Sequence, residues 1–158
     1  MIKLYRIDLK KHGNTAFSGR GSFLFGGRWS HSYIPIVYTS ESLALASLEK
    51  FVNLRHRDYA MSKVELIYTV AIASDSVSLE DISNKRLPKG WDGIPVISFT
   101  KDFGTMWFQE KRSALLKIRS AVVSSEFNYL INPEHPDFKK IKISKSVKFN
   151  FDPRMMLS

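Results

Sequence analysis

The sequence predicts an α+β fold, built as a single domain over residues 1–158 from central mixed or antiparallel strands with flanking helices. Three observations support this prediction. The chain has 158 residues and no Pro/Gly/Ser linker or internal repeat that would divide it, and a chain of this size buries about two-thirds of its unfolded surface. Short stretches that alternate apolar and polar residues, typical of strands, occur near both ends. Two other stretches have the apolar spacing of helices that pack on a core.

Strands are predicted on both sides of a long glycine-rich stretch. Residues 3–8 alternate weakly and indicate the first strand. Residues 10–33 are polar and hold five of the eight glycines, and a loop of this length inside a compact domain is often functional. Residues 34–39 indicate a short apolar strand, and residues 63–73 carry the strongest strand pattern of the chain.

Two helices are predicted. The first runs from about residue 41 to residue 55, after an N-cap at Thr39 or Ser40. The second lies near residues 101–116. Its inward-facing side chains are expected to be Phe103, Met106, Trp107 and Phe108.

The remaining strands are predicted in the C-terminal half. Residues 87–91 indicate a turn that ends on a buried aromatic residue, Trp91. Residues 120–123 indicate a strand, and residues 141–143 and 147–151 alternate as closing strands with one solvated face. The lysines of this last segment are interpreted mainly as that solvated face.

The charge is the unusual part of the composition. The chain has 24 Lys and Arg against 15 Asp and Glu, a formal net charge of +9. Such an excess suggests an anionic ligand or partner without saying which one. A nucleic-acid-binding module is one such possibility, and it would bind more weakly as salt rises, but the lysines are spread along strands and match no known nucleic-acid-binding motif.

Several classes of protein are disfavoured by what the sequence lacks. It has no run of 18 apolar residues and no apolar segment near Met1, so we expect no membrane span, no signal peptide and a cytoplasmic location. The chain has no cysteine, and its four histidines are scattered. We therefore expect neither a thiol nucleophile nor a metal site.

Glu49 is the first candidate site residue. It lies beside an apolar stripe formed by Leu45, Leu48 and Val52 on the first predicted helix. Such a carboxylate is either a solvent-edge residue paired with a lysine or arginine, or a partly desolvated group that meets a ligand hydroxyl or a developing cation. Periodicity leaves both interpretations open.

The segment Gly26-Gly27-Arg28-Trp29 is the second candidate. Two glycines permit a positive φ angle and a close backbone approach, and the planar fork of Arg28 suits bidentate contact with phosphate. The segment indicates a pyrophosphate site or an ordinary turn. It matches neither the Walker A nor the Rossmann pattern.

Tyr38 and Ser120 are further candidates. Tyr38 closes a predicted strand, where an aromatic side chain either joins the core or stacks on a flat ligand ring. Ser120 opens a predicted strand, where its hydroxyl serves either as a cap or as a hydrogen-bonding group for a ligand.

These motifs, taken in order, resemble the RES-domain family, the toxin half of Xre–RES toxin–antitoxin modules. The matching stretches run from one end of the chain to the other. In chain order they are Leu4-Tyr5-Arg6-Ile7, Gly26-Gly27-Arg28-Trp29, Ile36-Val37-Tyr38-Thr39-Ser40-Glu41-Ser42, Ala44-Leu45-Ala46 with Leu48-Glu49, Leu87-Pro88 with Trp91, Ser120-Ala121-Val122-Val123 leading to Glu126, Asn128-Tyr129-Leu130-Ile131-Asn132-Pro133, His135-Pro136-Asp137-Phe138 and Phe151-Asp152-Pro153-Arg154.

The resemblance implies roles for five residues. Arg28, Glu49 and Ser120 fall on the arginine, glutamate and serine that name the family, and Tyr38 falls on its active-site tyrosine. It implies a fold related to ADP-ribosylating toxins and, without a metal, a reaction on NAD⁺ as substrate that breaks the nicotinamide–ribose bond. Arg28, Tyr38 and Ser120 are then expected to bind NAD⁺, with Arg6 as an additional phosphate contact, and Glu49 is expected to stabilise the transition state.

Two departures from the family pattern affect loop shape. Residues 32–34 lack a glycine that the family leads us to expect, and residues 111–119 lack a proline that often precedes the serine.

The resemblance leaves several functions open. The leading one is a toxin that degrades NAD⁺ as a glycohydrolase or phosphorylase, and the alternative within the same chemistry is a protein ADP-ribosyltransferase. The resemblance also implies an Xre-type helix-turn-helix antitoxin as partner and a homodimer. It implies no membrane contact, and nucleic-acid binding only through the antitoxin.

Overall fold

The computed structural model describes residues 1–54 and 64–156. These ranges contain eight strands, three α-helices and three short 3₁₀ helices. The strands are β1 (Ile2–Leu9), β2 (Val37–Ser40), β3 (Leu66–Ala73), β4 (Leu79–Asp81), β5 (Leu115–Arg119), β6 (Phe127–Ile131), β7 (Ile141–Ile143) and β8 (Val147–Phe149). The α-helices are α1 (Arg20–Phe25), α2 (Leu43–Asn53) and α3 (Ser98–Gln109), and the 3₁₀ helices are Lys10–Thr15, Pro136–Lys140 and Pro153–Met156.

The strands form one sheet in the order β4-β5-β6-β2-β1-β3-β7, and β8 also pairs with β3. The pairing of β4 with β5 is parallel and the other pairings are antiparallel. The predicted α+β class with a mixed sheet is therefore confirmed.

The junction between β1 and β2 is the least paired part of the sheet centre. β2 pairs with β6 over its whole length, whereas its register with β1 is the single pair Tyr5↔Ser40. Beyond that pair, Arg6 Nη1 donates a hydrogen bond to the Tyr38 carbonyl oxygen at 2.9 Å. We call this junction the β1–β2 seam.

The two faces of the sheet bury different clusters, because successive strand residues point to opposite sides. One face carries a single cluster with Leu4, Val37, Leu115 and Ile131. The opposite face carries two clusters. The first contains Trp29, Ile36, Ile82, Trp107, Phe108, Leu116, Ile118 and Leu130, and the second contains Ile7, Ala46, Leu66 and Phe151. The first of these is covered by α3 and the second by α2.

Five predicted strands are present in kind. β1, β3, β7 and β8 overlap the stretches predicted as strands. β2 spans Val37–Ser40, whereas residues 34–39 were predicted. The predicted strand 63–73 begins at Lys63 and the predicted helix 41–55 ends at Arg55. Both of these residues lie outside the described residues. The strands β4 and β6 and the helix α1 were not predicted.

The predicted N-cap of α2 is wrong. The cap is Ser42, whose Oγ accepts a hydrogen bond from the Leu45 N–H at 3.0 Å. Thr39 and Ser40 belong to β2 instead. The Thr39 hydroxyl donates to the Tyr129 carbonyl oxygen across the sheet, which commits it to strand pairing.

The predicted apolar stripe of α2 is also wrong. Leu45 is buried, but Leu48 is 37% exposed and Val52 58% exposed. The helix instead packs Ala46 against the β1 side of the sheet, with Leu43 and Phe51 partly buried beside it. Glu49 is partly buried.

The second predicted helix is too long, and the strand predicted after it is misplaced. α3 ends at Gln109, and residues 115–119 form β5. Trp107 and Phe108 are buried as predicted and Phe103 is partly buried, but Met106 is 51% exposed. β5 ends before Ser120, whose hydroxyl accepts hydrogen bonds from the Val122 and Val123 N–H groups, so residues 120–123 form a turn.

The glycine-rich stretch is less irregular than predicted, because Lys10–Thr15 and α1 interrupt it. Trp91 is only half-buried, against Trp29. Over residues 1–54 and 64–156, no helix has the length and apolar character needed to cross a membrane.

Candidate active site

A loop of residues 26–31 carries the glycine-arginine motif onto the sheet. Gly26 has φ 67°, in the left-handed region that favours glycine. A Cβ on Gly27 would lie 2.5 Å from Tyr38 Oη, so a side chain at this position would displace the tyrosine. Gly26 thus adopts the positive φ that glycine permits, and the backbone at Gly27 closely approaches Tyr38, while the pyrophosphate site itself stays a prediction.

Helix α3 anchors the same loop. The His31 N–H donates to Thr105 Oγ1 at 3.1 Å, and His31 Nε2 is 2.6 Å from Asp102 Oδ1. Gly104 packs so closely on the loop that a Cβ there would lie 1.8 Å from the Trp29 carbonyl oxygen. The position of the loop is therefore set by direct contact with α3.

Tyr38 points into this loop with its hydroxyl hydrogen-bonded. The Trp29 N–H donates to Tyr38 Oη at 3.1 Å, and the Ser30 and Tyr38 hydroxyls are 2.8 Å apart. Burial raises the pKa of the Tyr38 phenol to about 12, although the two hydrogen bonds and the charge of Arg28 act in the opposite direction. The phenol is therefore neutral at physiological pH and suited to packing and stacking.

Arg28 is held by the backbone of a second loop. Its Nη1 donates to the Trp91 carbonyl oxygen at 2.7 Å and to the Gly93 carbonyl oxygen at 3.0 Å. The Trp91 ring lies 6.3 Å from that of Trp29, which fastens this loop to the first one. Nε and Nη2 of Arg28 have no hydrogen-bond partner in the described part of the chain, which leaves that edge of the fork for an anion.

Glu49 and Ser120 are in direct contact. Ser120 Oγ donates to Glu49 Oε1 at 2.8 Å, and Asn128 Nδ2 donates to the same oxygen at 2.5 Å. Ser120 itself is fully buried. In this arrangement the serine hydroxyl binds the carboxylate and the backbone of its own turn.

Arg6 occupies the β1–β2 seam. Besides its bond to the Tyr38 carbonyl oxygen, its Nη2 forms an ion pair with Asp8 Oδ1 at 2.8 Å. Lys50 lies nearby, and burial lowers its pKa against the opposing effect of Asp8. Both terminal nitrogens of Arg6 are thus engaged within the protein.

The candidate residues form two groups along β2. Tyr38 and Arg28 belong to the loop side, and Glu49 and Ser120 belong to the α2 side. Ser40, two residues after Tyr38 and on the same face of the strand, connects them, because its Oγ donates to Asn128 Oδ1 at 2.7 Å. The catalytic and NAD⁺-binding roles of all these residues remain predictions.

Sequence reasoning missed Ser40 and Asn128 as site residues. Both lie within family motifs, but neither was given a role in the site, and Ser40 was considered only as a helix N-cap. An asparagine at an inward-facing strand position is a usable signal, because a buried amide needs partners.

The three-residue segment that lacks the family's glycine, residues 32–34, has Tyr33 in the left-handed region, at φ 70°. The departure is therefore accommodated by a non-glycine residue in a conformation such residues rarely adopt.

No group of three or more histidine or acidic side chains in residues 1–54 and 64–156 is arranged to hold a metal ion.

Comparison with known proteins finds relatives that match nearly the whole chain. The chain is 40% identical over 152 residues to a Prs ADP-ribosylating toxin of Sphingobium, covering 94% of this chain and 92% of the relative. It is 31% identical to a Toxin Res of Yersinia enterocolitica, covering 98% and 99% of the two chains. It is 33% identical to a Toxin Res of Photorhabdus laumondii, covering 97% and 96%.

The fold matches a solved structure. The crystal structure of the Mycobacterium tuberculosis MbcT–MbcA toxin–antitoxin complex contains a chain that superposes with a TM-score of 0.75, covering 98% of this chain and 86% of that one. The identity is 16%, so this likeness concerns the fold alone.

The model of the RES domain matches residues 3–152, nearly the whole chain. With relatives of 31 to 40% identity over nearly full length, this match shows that the chain belongs to the RES-domain family.

Proposed function

We propose that the protein is the toxin of a toxin–antitoxin pair and that it acts by cleaving the nicotinamide–ribose bond of NAD⁺. The observation that carries the proposal is the Glu49 carboxylate, which is held through one oxygen by Ser120 and Asn128. Full-length relatives named Toxin Res and Prs ADP-ribosylating toxin support it.

The proposed chemistry needs a fixed anion near the ribose. Breaking the bond between ribose C1 and the nicotinamide nitrogen leaves the bonding electron pair on nicotinamide, which departs as a neutral molecule, and positive charge develops on the ribose. A carboxylate that is already oriented stabilises that charge without reorganising. Glu49 takes this role, and a water molecule then adds to C1 and releases one proton, giving ADP-ribose.

The other residues bind and orient the substrate. The free edge of the Arg28 fork is suited to the pyrophosphate oxygens. Tyr38 supplies a neutral aromatic surface at the start of the same strand face, against nicotinamide or ribose. Ser120 acts on the substrate through Glu49, because its own hydroxyl is buried.

Glu49→Gln tests this role. The variant keeps the shape of the side chain but removes its charge, so we expect nicotinamide release to fall by about a hundredfold or more. Purified protein is incubated with NAD⁺, with and without inorganic phosphate, and the products are identified by mass: ADP-ribose indicates glycohydrolysis and ADP-ribose 1″-phosphate indicates phosphorolysis. Glu134→Gln, at an exposed position, is the matched control. Full activity in Glu49→Gln would refute the mechanism.

A second candidate function is ADP-ribosyl transfer to a protein. The relative with 40% identity, named Prs ADP-ribosylating toxin, specifically favours it. Here a nucleophilic side chain of the target takes the place of water at ribose C1. Incubation with NAD⁺ labelled in the adenosine part and a cell lysate separates the two reactions, because transfer gives a discrete labelled protein band whereas glycohydrolysis gives only small labelled products.

The proposed partner is an Xre-type helix-turn-helix antitoxin. The family resemblance supports it, and the net charge of +9 suits an acidic partner surface. Co-expression with the product of the neighbouring gene should restore growth that the toxin alone arrests. The proposed homodimer is tested by light scattering after gel filtration, with a mass of about 36 kDa expected from twice the chain mass of 18.1 kDa.

A further inference from the structure

We infer that Asn128 is a positioning residue that fixes the orientation of the Glu49 carboxylate, an inference that rests on the proposed NAD⁺ chemistry. Asn128 stands at the second position of β6, opposite Ser40 of β2. Its amide lies between two side chains: the Ser40 hydroxyl donates to Oδ1 at 2.7 Å, and Nδ2 donates to Glu49 Oε1 at 2.5 Å.

The direction of these hydrogen bonds is determined. A carboxylate only accepts, so the amide nitrogen must face Glu49 and the amide oxygen must face Ser40. Ser40 is 3% exposed, and strand pairing with both β1 and β6 holds its backbone. The flip state of the Asn128 amide is set by Glu49, and the Ser40 hydroxyl, which can donate or accept, supplies the matching donor to Oδ1 and holds that end of the amide.

The second donor to Glu49 is equally committed. Ser120 Oγ accepts hydrogen bonds from the N–H groups of Val122 and Val123, both at 3.0 Å, so its own proton is directed to Glu49 Oε1. Two fixed donors thus converge on one carboxylate oxygen. Oε2 has no hydrogen-bond partner in residues 1–54 and 64–156, and it is the oxygen left to face a developing cation.

This arrangement gives Asn128 a function distinct from Ser120. The serine hydroxyl also accepts from the N–H groups of its own turn, whereas the Asn128 amide is held by Ser40 and has Glu49 as its only other side-chain partner among the described residues. Hydrogen bonds to a charged group are stronger than those between neutral groups. Without Nδ2, Ser120 alone would restrain the carboxylate, which could then rotate about that one bond.

If Asn128 only links α2 to β6 by hydrogen bonds, a different result is expected. Loss of such a link would lower folding stability but would not affect the chemical step. Asn128→Asp separates the two roles, because aspartate has nearly the same shape. When ionised it places a second carboxylate beside Glu49, and when protonated it can donate a hydrogen bond as the amide does.

The experiment compares nicotinamide release by the wild type, Asn128→Asp and Asn128→Ala between pH 5 and pH 8. For Asn128→Ala we expect kcat to fall by about tenfold to a hundredfold, with KM for NAD⁺ within about twofold of the wild-type value. For Asn128→Asp we expect kcat at pH 8 to fall at least as much as in Asn128→Ala. The ratio of the Asn128→Asp kcat to the wild-type kcat should then rise as the pH is lowered to 5. The charged groups on neighbouring elements are Glu41, Lys50, Lys117, Arg119 and Glu126. Their direct effect on the reaction is common to both proteins, and in the variant they also shift the pH at which the new carboxyl group titrates.

The controls keep the outcome decisive. Asn14→Asp introduces the same change at an exposed position of the 3₁₀ helix Lys10–Thr15 and should keep the wild-type pH profile. Thermal melts report folding. If an Asn128 variant does not fold, Ser40→Ala tests the same network by releasing the amide, and it should lower kcat by about twofold to tenfold.

Failure of the proposed function and failure of the positioning role of Asn128 give different results. If the wild type releases no nicotinamide, the proposed function is wrong. If the wild type is active and Glu49→Gln is not, but folded Asn128 variants keep the wild-type kcat, or Asn128→Asp shows no recovery at low pH, the positioning role is overturned. Wild-type kcat in Ser40→Ala, where that variant is the only folded one, overturns it as well.

Discussion

Replacing Gly104 with alanine is a stringent test of how the site loop is held. Gly104 lies within α3, and a Cβ built on it would be 1.8 Å from the Trp29 carbonyl oxygen and 2.8 Å from the Trp29 carbonyl carbon. Both atoms are backbone, so no side-chain rotation relieves the overlap. Either α3 or the loop of residues 26–31 must move by about 1.5 Å to restore ordinary contact.

The expected loss of stability follows from two opposing effects. Overpacking a buried contact costs about 1 to 3 kcal/mol, and the obstacle here is rigid backbone, which favours the upper value. Alanine in place of glycine inside a helix returns about 0.5 to 1 kcal/mol. The net loss is then about 2 kcal/mol, which for a chain of this size lowers Tm by about 4 to 8 °C.

Gly21→Ala is the matched control, because this glycine lies in α1 and a Cβ there meets nothing within 4 Å. It should leave Tm unchanged or raise it. Thermal unfolding followed by circular dichroism measures both variants, and nicotinamide release should fall in Gly104→Ala because Trp29 lies next to Arg28 and contacts Tyr38. A Tm for Gly104→Ala equal to that of Gly21→Ala would show that the contact between α3 and the loop does not constrain the site.

Two further substitutions test the site. Tyr38→Phe leaves the buried Trp29 N–H without its acceptor, so the free energy of unfolding should fall by about 1 to 3 kcal/mol in urea titrations at pH 7. Burial raises the pKa of Tyr38 to about 12 from an unfolded value of 10.0, so the stability contributed by the neutral phenol is complete below pH 10 and is lost as the pH rises to 12. The difference in unfolding free energy between wild type and Tyr38→Phe should therefore narrow over that range. A difference that stays constant from pH 10 to 12 would contradict the raised pKa of Tyr38. Arg28→Lys keeps the charge but cannot bond the carbonyl oxygens of Trp91 and Gly93 while presenting a planar edge to phosphate, so KM for NAD⁺ should rise by about tenfold with kcat less affected. An unchanged KM would remove Arg28 from substrate binding.

Local spacing made part of the site predictable. The glycine pair, Arg28 and Tyr38 lie within thirteen residues of one another, and their backbone requirements can be inferred from residue type. Asn128 could not be found this way. Its partners Ser40 and Glu49 are 88 and 79 residues away along the chain, and only strand pairing brings them together.

The errors in the fold have a similar origin. Ala114, Leu115, Leu116 and Ile118 are buried on both faces of the sheet, so this segment lacks the alternation that identifies a half-exposed strand. The sequence-based helix near residues 101–116 therefore extended into it. On α2, the exposed Leu48 and Val52 match a helical stripe as well as the buried residues do. Hydrophobic spacing identifies a helix but does not decide which of two apolar sides packs on the sheet.

The β1–β2 seam has a consequence for how the molecule is held together. Strands β2, β6, β5 and β4 lie on one side of it, and β1, β3, β7 and β8 lie on the other. Helix α2 packs on β1, yet Glu49 of that helix is bound by Ser120 and Asn128 from the opposite side. The carboxylate proposed for catalysis therefore also links the two halves of the sheet, so a partner that separated them would be expected to displace Glu49 without contacting it.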